Sequence, residues 1–318
     1  MALPTPTTLE EFTPAWLTEQ FRKSDTIGSE STVTGVERKI LGEGEGFMGI
    51  VARLSLSYEG PAGPATVIAK IPTTVPENRA MGKAISIYER EVRVYSEILP
   101  ALDVPTPHVY SAIYEAVGDE HKQQNTMMKA DRLPMFLLKP LTKKAQKKGA
   151  QDAYVPPCVV LIEDLDGVAE IGNQVEDASK EKLEAGLAAL AALHAQTWGA
   201  DQNPSTHWEM GPQSIPKVLH ALFLNGCDDF AAAGGANFSS HTRELLEACK
   251  TTGVKRVDRF YRDAPWCLSH GDFRLDNMFF GPDGSVFGKD RGEQLLSLLE
   301  SKNFAFVDWK NIGVYERI

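Results

Sequence analysis

The residues of this chain best suited to chemistry lie in two short strings, His270-Gly-Asp272-Phe-Arg-Leu-Asp-Asn277 and Phe304-Ala-Phe-Val-Asp308. Moving a phosphoryl group to an alcohol calls for a carboxylate that orients the hydroxyl and accepts its proton. It also calls for oxygen ligands that hold magnesium on a triphosphate. Asp272 suits the first role. Asn277 can reach a metal from the same loop, and Asp308, ending an apolar strand, can add a charged ligand. Each of these residues alone reads better as a turn or cap residue, which Asp and Asn commonly are. The spacing H-G-D-x-x-x-x-N followed by an apolar strand ending in Asp lifts the set above that reading.

Two upstream features fit the same chemistry. Gly44-Glu-Gly46-Phe-Met-Gly49-Ile-Val51 follows the pattern G-x-G-x-x-G-x-V, in which glycines let backbone amides approach phosphate oxygens. Alone it is a weak signal, and a plain glycine-rich hairpin serves as well. An alternating strand follows instead of a helix, which favours a phosphate-covering hairpin over a dinucleotide fold. Lys70 ends the apolar run Val67-Ile-Ala-Lys70 and needs a carboxylate or a phosphate there. Residues 80–99 read as one helix. At about 100° per residue its apolar arc contains Glu91, whereas Glu89 and Glu97 fall on the solvent side. Glu91 is therefore the expected partner of Lys70, with snorkelling to solvent beside Arg90 as the alternative. His194, on the apolar face of a later helix, reads as a hydrogen-bonded core residue.

These residues have to be carried by a scaffold that begins with strands and ends with helices. Leu9 to Lys23 reads as an amphipathic helix. Strand-like alternation runs from Val33 to Lys70, interrupted by Gly60-Pro-Ala-Gly-Pro64. More strand follows at Val109 to Ala116 and Val159 to Ile162, with a lysine cluster between (Lys139, Lys143, Lys144, Lys147, Lys148) that reads as solvated loop. Leu183, Leu187, Leu190 and His194 recur at helical spacing. The order implies an α+β chain in two lobes joined near Glu163 to Gly167.

Composition narrows the class. With 318 residues the chain can bury a large core, and 42% hydrophobic with 24% charged residues is ordinary for a globular protein. A net charge of −10 argues against a nucleic-acid binder, which needs a basic face. The cysteines are widely spaced and form no C-x-x-C pair, so no zinc or redox motif is expected. No signal sequence and no membrane-spanning run is read, so the expectation is a cytoplasmic protein with no membrane partner.

Taken together, the motifs resemble the aminoglycoside and choline phosphotransferase superfamily, in particular its ecdysteroid-kinase-like branch. The resemblance rests on Tyr88-Glu-Arg-Glu91-Val-Arg-Val-Tyr95, Val160-Leu-Ile-Glu163-Asp-Leu165, Leu193-His194-Ala195, the His270 to Asn277 string and Val307-Asp308-Trp309, and runs from about Leu41 to Gly313. It implies a two-lobed protein-kinase-like fold: an N-lobe over 1–162, a hinge at 163–167 and a helical C-lobe over 168–318, shortened at its C-terminus relative to the family. By the same resemblance ATP and magnesium are the cofactors and a hydroxylated small molecule is the substrate. Asp272 is then the base, and Asn277 and Asp308 hold magnesium. Gly44, Gly46 and Gly49 cover the phosphates. Lys70 binds the α- and β-phosphates, held by Glu91, and the backbone at Glu163 and Leu165 bonds adenine. Gly271 in place of arginine, Trp309 in place of phenylalanine after the aspartate, and the lack of an A-P-E string separate the chain from protein kinases. The stretch from Asn277 to Asp308 is longer than in relatives, with a helix-like insert at 293–300. A nucleotide-binding pseudokinase is the alternative function.

Overall fold

The computed structural model of the chain describes residues 3–42, 48–84, 86–116, 120–148, 154–173, 175, 179–199, 215–234, 238–263, 267–282, 284 and 286. A 3-10 turn, Leu9–Glu11, leads into helix α1, Pro14–Lys23, so the expected leading helix is broken at Phe12 and Thr13. Thr13 caps α1 by accepting the Trp16 N–H, and Pro14 occupies the first helical position, where no N–H is needed. Strands β1 (Thr32–Leu41), β2 (Gly49–Glu59) and β3 (Thr66–Pro72) follow. After helices α2 (Pro76–Ala84) and α3 (Ile87–Arg93) comes β4 (Val109–Tyr114). Helices α4 (Glu120–Asp131) and α5 (Met135–Lys148) precede β5 (Cys158–Glu163). The five strands form one sheet in the order β1-β2-β3-β5-β4, every neighbouring pair antiparallel. This is an α+β, two-lobed kinase-like fold, as the sequence implies.

Alternation along the strands decides what faces which helix. Val67, Ala69 and Ile71 of β3, with Val159 and Leu161 of β5, share a core with Phe12, Trp16, Leu17 and Phe21 on the α1 side. The intervening residues, Ile68 of β3 and Cys158, Val160 and Ile162 of β5, pack with Tyr88 and Val92 of α3. Both faces are therefore covered, and each fully buried Val or Leu contributes about 1.5–3 kcal/mol. Lys70 lies in register with Val160, and its side chain emerges on the α3 face.

The helix expected over 80–99 is not continuous. α2 ends at Ala84, and Ser86 takes a left-handed conformation (φ 54°) before α3 begins. From Val94 to Ile98 the turns widen to π-helix and then tighten to 3-10 over Leu99–Ala101. Neither Gly nor Pro marks the break at Ser86, so a uniform 100° wheel carries the wrong phase across it.

The chain divides into two compact units. One comprises Met1–Pro100, His108–Asp164 and Asn203–Pro265; the other comprises Ala101–Pro107, Leu165–Gln202 and Trp266–Ile318. Residues 215–234 and 238–263, which the sequence reading assigns to the C-lobe, group with the sheet-bearing unit. They do so because α7 (Pro216–Gly234) shares an apolar core with α5 through Leu138, Ile215, Val218 and Ala221. α8 (Ser240–Asp263) belongs to the same unit. The second unit holds the short strand β6 (Glu170–Ile171), helix α6 (Lys180–Gln196) and the short strand β7 (Phe279–Phe280). The recurrence that marks α6 leaves Leu183 and Leu187 exposed, and burial falls on Gly186 and Ala192. His194 is half-buried there, and burial lowers its pKa.

Candidate functional site

In the first unit Lys70 Nζ donates to Glu91 Oε1 at 2.5 Å, the partner its sequence context assigns to it. The two side chains keep 32% and 34% of their surface exposed, so the pair is half-open and can exchange partners with an anion. Packing around the ammonium disfavours its charge, but Glu91 outweighs this with help from Tyr95 and Cys158, and the Lys70 pKa is raised. Burial, helped by the Glu91 charge, pushes the Cys158 thiol up to about 12.

The faces of α3 differ from those expected of a single helix over 80–99. Glu89, expected on the solvent side, is the buried carboxylate at 2% exposure. It accepts from Arg93 Nε at 2.9 Å through Oε1, while Oε2 is buried with no partner among the described residues. Arg93 also donates to the more exposed Glu97 at 2.8 Å. The helix restarts at Ser86 and widens to π turns from Val94, so one uniform wheel over 80–99 does not fix which glutamate is buried.

Three further residues of the first unit make defined contacts. Tyr88 Oη donates to the Met48 carbonyl at 2.7 Å, tying the start of β2 to α3. Gly49 pairs with Pro72, and a Cβ there would come within 3.2 Å of the Ile71 carbonyl oxygen, so close strand approach already explains this glycine. Arg53 of β2 makes a bidentate pair with Asp164, from Nε at 2.5 Å and Nη2 at 3.1 Å. Asp164, 4% exposed, is the residue between Glu163 and Leu165. Sequence reading missed this pair, because Arg53 alternates with apolar residues on β2 and looks like any solvent-facing strand charge.

Glu163 is anchored by His108 on two sides: its N–H donates to the His108 carbonyl at 2.8 Å, and Oε2 accepts the His108 N–H at 3.1 Å. The Leu165 carbonyl accepts from Val168 and Ala169 at 3.1 and 3.0 Å. Its N–H has no partner among the described residues.

In the second unit the string from His270 to Asn277 is a tight loop closed by a 3-10 turn, Leu275–Asn277. Gly271 has φ +81°, a conformation that an L side chain rarely adopts, which explains glycine between His270 and Asp272. Leu275, Met278 and Phe280 bury against Phe273 and Ala185, and the Gly172 N–H donates to the Met278 carbonyl at 3.0 Å. Above this small core Asn277 Nδ2 donates to both the Asp272 carbonyl at 2.8 Å and Asp272 Oδ2 at 3.0 Å. Arg274 Nε lies 3.5 Å from the same carboxylate oxygen. Two acceptors fix which way the Asn277 amide turns. Asn277 Oδ1 and Asp272 Oδ1 are left without partners among the described residues.

The open Asn277 Oδ1 is an oxygen donor of the kind a hard cation such as magnesium takes. Asp308, Gly44 and Gly46 lie outside the described residues, as does the insert at 293–300. Among the described residues no group of three or more His, Cys, Asp or Glu could hold a metal. The cysteines Cys158, Cys227, Cys249 and Cys267 are free thiols. No helix among the described residues is long and apolar enough to cross a membrane.

No curated protein and no solved structure matches the chain. The profile of the ecdysteroid kinase-like family matches residues 43–286, a span that runs from the glycine-rich turn past the Asp272 loop. Most of its length being matched, the chain belongs to the ecdysteroid kinase-like family.

Proposed function

We propose that the chain is an ATP- and magnesium-dependent phosphotransferase acting on a hydroxyl of a small molecule. Family membership supports a small-molecule kinase in general. The observation that carries the finer reading is the Asn277 amide bonding Asp272 twice, which orients an exposed carboxylate and leaves one oxygen of each side chain open.

In this reading Lys70, steadied by Glu91, supplies the fixed positive charge for the α- and β-phosphates, and Arg53 steadies Asp164 beside the Leu165 N–H that meets adenine. Asn277 and Asp308 are the residues to hold magnesium, which supplies charge neutralisation across the phosphates. Asp272 orients the acceptor hydroxyl and takes its proton as the oxygen accepts the γ-phosphoryl group, leaving ADP and a phosphate monoester.

The test is an ADP-release assay over a panel of hydroxylated metabolites (steroid alcohols, amino alcohols and aminoglycosides), with mass spectrometry of the acceptor. ADP release that depends on one acceptor class, adds one phosphate to it and stops on chelation of magnesium is the expected result. Nucleotide binding with no acceptor phosphorylated would identify a pseudokinase instead. A chain that binds no nucleotide would end both readings.

A further inference from the structure

The lysine cluster between β4 and β5 is not a loop. It lies on α5, and the rotation of that helix is fixed. Leu138 is fully buried and Thr142 nearly so. Asn225 of α7 bonds Thr142 Oγ1 at 3.0 Å and the Lys139 carbonyl at 3.3 Å. Asp131, at the end of α4, accepts the Lys217 and Val218 N–H groups of α7, both at 2.8 Å, and so holds the platform together.

With that side locked, the opposite arc is turned outward. Going round it at about 100° per residue, the exposed side chains are Lys139, Lys143, Phe136, Lys144, Leu137 and Leu141. Phe136 is 75% exposed, and Leu137 and Leu141 are close to half exposed. The helix contains no acidic residue, in a chain whose net charge is −10. Pro140, which interrupts the helical hydrogen bonds, also lies on this outer side.

We propose that this face of α5 docks on an anionic lipid surface, with Phe136, Leu137 and Leu141 entering the headgroup boundary and the lysines reaching the lipid phosphates. Lysine is depleted in the cores of protein–protein interfaces, whereas helices that lie in a membrane interface combine lysines with Phe and Leu. Here cations and apolar side chains are neighbours on one arc, so each apolar residue can bury while an adjacent lysine extends to the headgroups. The charge of the face is complementary to an anionic leaflet and opposite to that of the chain as a whole.

The test is sedimentation of the full chain with vesicles of phosphatidylcholine alone or mixed with phosphatidylserine. The chain pellets with the mixed vesicles and not with neutral ones, and high salt weakens the association. Lys143→Glu with Lys144→Glu, and separately Phe136→Ser with Leu141→Ser, each lower the partitioning on the order of tenfold. All four side chains are exposed, so the melting temperature and circular dichroism stay as in the parent. No association with anionic vesicles overturns the proposal, as does association that survives the Phe136/Leu141 pair of changes. Concentration-dependent dimerisation without lipid, abolished by the same changes, would overturn it in favour of a second copy of the chain.

Discussion

Lys70 sits in a sheet covered on both faces, and its partner Glu91 reaches it from a helix that is packed on that sheet through Tyr88 and Val92. Asp272 sits on an exposed loop and is held almost wholly by its near neighbours: Gly271 for the turn, Arg274 and Asn277 for its carboxylate. One charge is placed by packing between distant segments, the other by local hydrogen bonds above a small apolar patch. Changes around Lys70 should therefore register first in stability. Changes at Asp272 should register in rate and leave stability nearly untouched. If Lys70 and Asp272 serve one reaction, as proposed, its residues are positioned by quite different amounts of surrounding structure.

The largest effect is expected at the loop. Asp272→Asn keeps the shape and the hydrogen bond to Asn277 but removes the base, and a positioned base contributes about 10²–10⁴-fold. The rate of acceptor phosphorylation falls by that factor, while thermal unfolding shifts by no more than an exposed substitution does, about 0.5 kcal/mol. A large loss of stability in this variant would erase the contrast between the two regions.

Next comes the Arg53–Asp164 pair. With Asp164 buried, Arg53→Ala removes a bidentate partner from a carboxylate that water barely reaches, and such a break costs about 3 kcal/mol. Denaturant unfolding measures it. The apparent affinity for nucleotide should fall with it, because the hinge backbone loses its tie to β2, while turnover at saturating nucleotide changes little. An unaltered unfolding midpoint would show that the hinge holds Asp164 by other means.

Much of this was legible in the residues themselves. The loop could be read from spacing, because its geometry is local: Gly271, Asp272 and Asn277 form their turn within eight residues of chain. Strand positions followed from alternation, and the same alternation placed Lys70 on the α3 face. What failed was phase over distance. Ser86 turns left-handed with nothing in its type to announce it, and the π turns from Val94 shift the wheel again. The Lys70–Glu91 pair was thus found by an argument that mistook which glutamate is buried. The lysines of α5 failed for another reason: a charge run looks solvated, and only the Asn225 contacts with Lys139 and Thr142 show that a fixed helix carries it. Arg53 and Asp164 stand 111 residues apart, and no local pattern joins them.

The finest contrast lies within α3, between Glu89 and Glu91. Glu89 is almost fully buried, so Glu89→Ala removes a charge whose partner, Arg93, keeps Glu97. The arginine is not stranded, and the expected loss is about 2 kcal/mol, short of the cost of leaving a buried ion wholly unpaired. Glu91→Ala breaks a pair in which each side chain is about one-third exposed, and water can take over much of the solvation of Lys70. That loss should be about 1 kcal/mol, near the upper end for solvent-accessible pairs. Saturating magnesium-ATP separates the two further. Phosphates give Lys70 a new counter-charge, so nucleotide recovers part of the Glu91→Ala deficit and none specific to Glu89→Ala. Thermal unfolding of both variants, with and without nucleotide, measures all four values. If Glu91→Ala proved the more damaging of the two, burial would not be what sets these energies. If nucleotide stabilised both variants equally, Lys70 would not be the phosphate anchor.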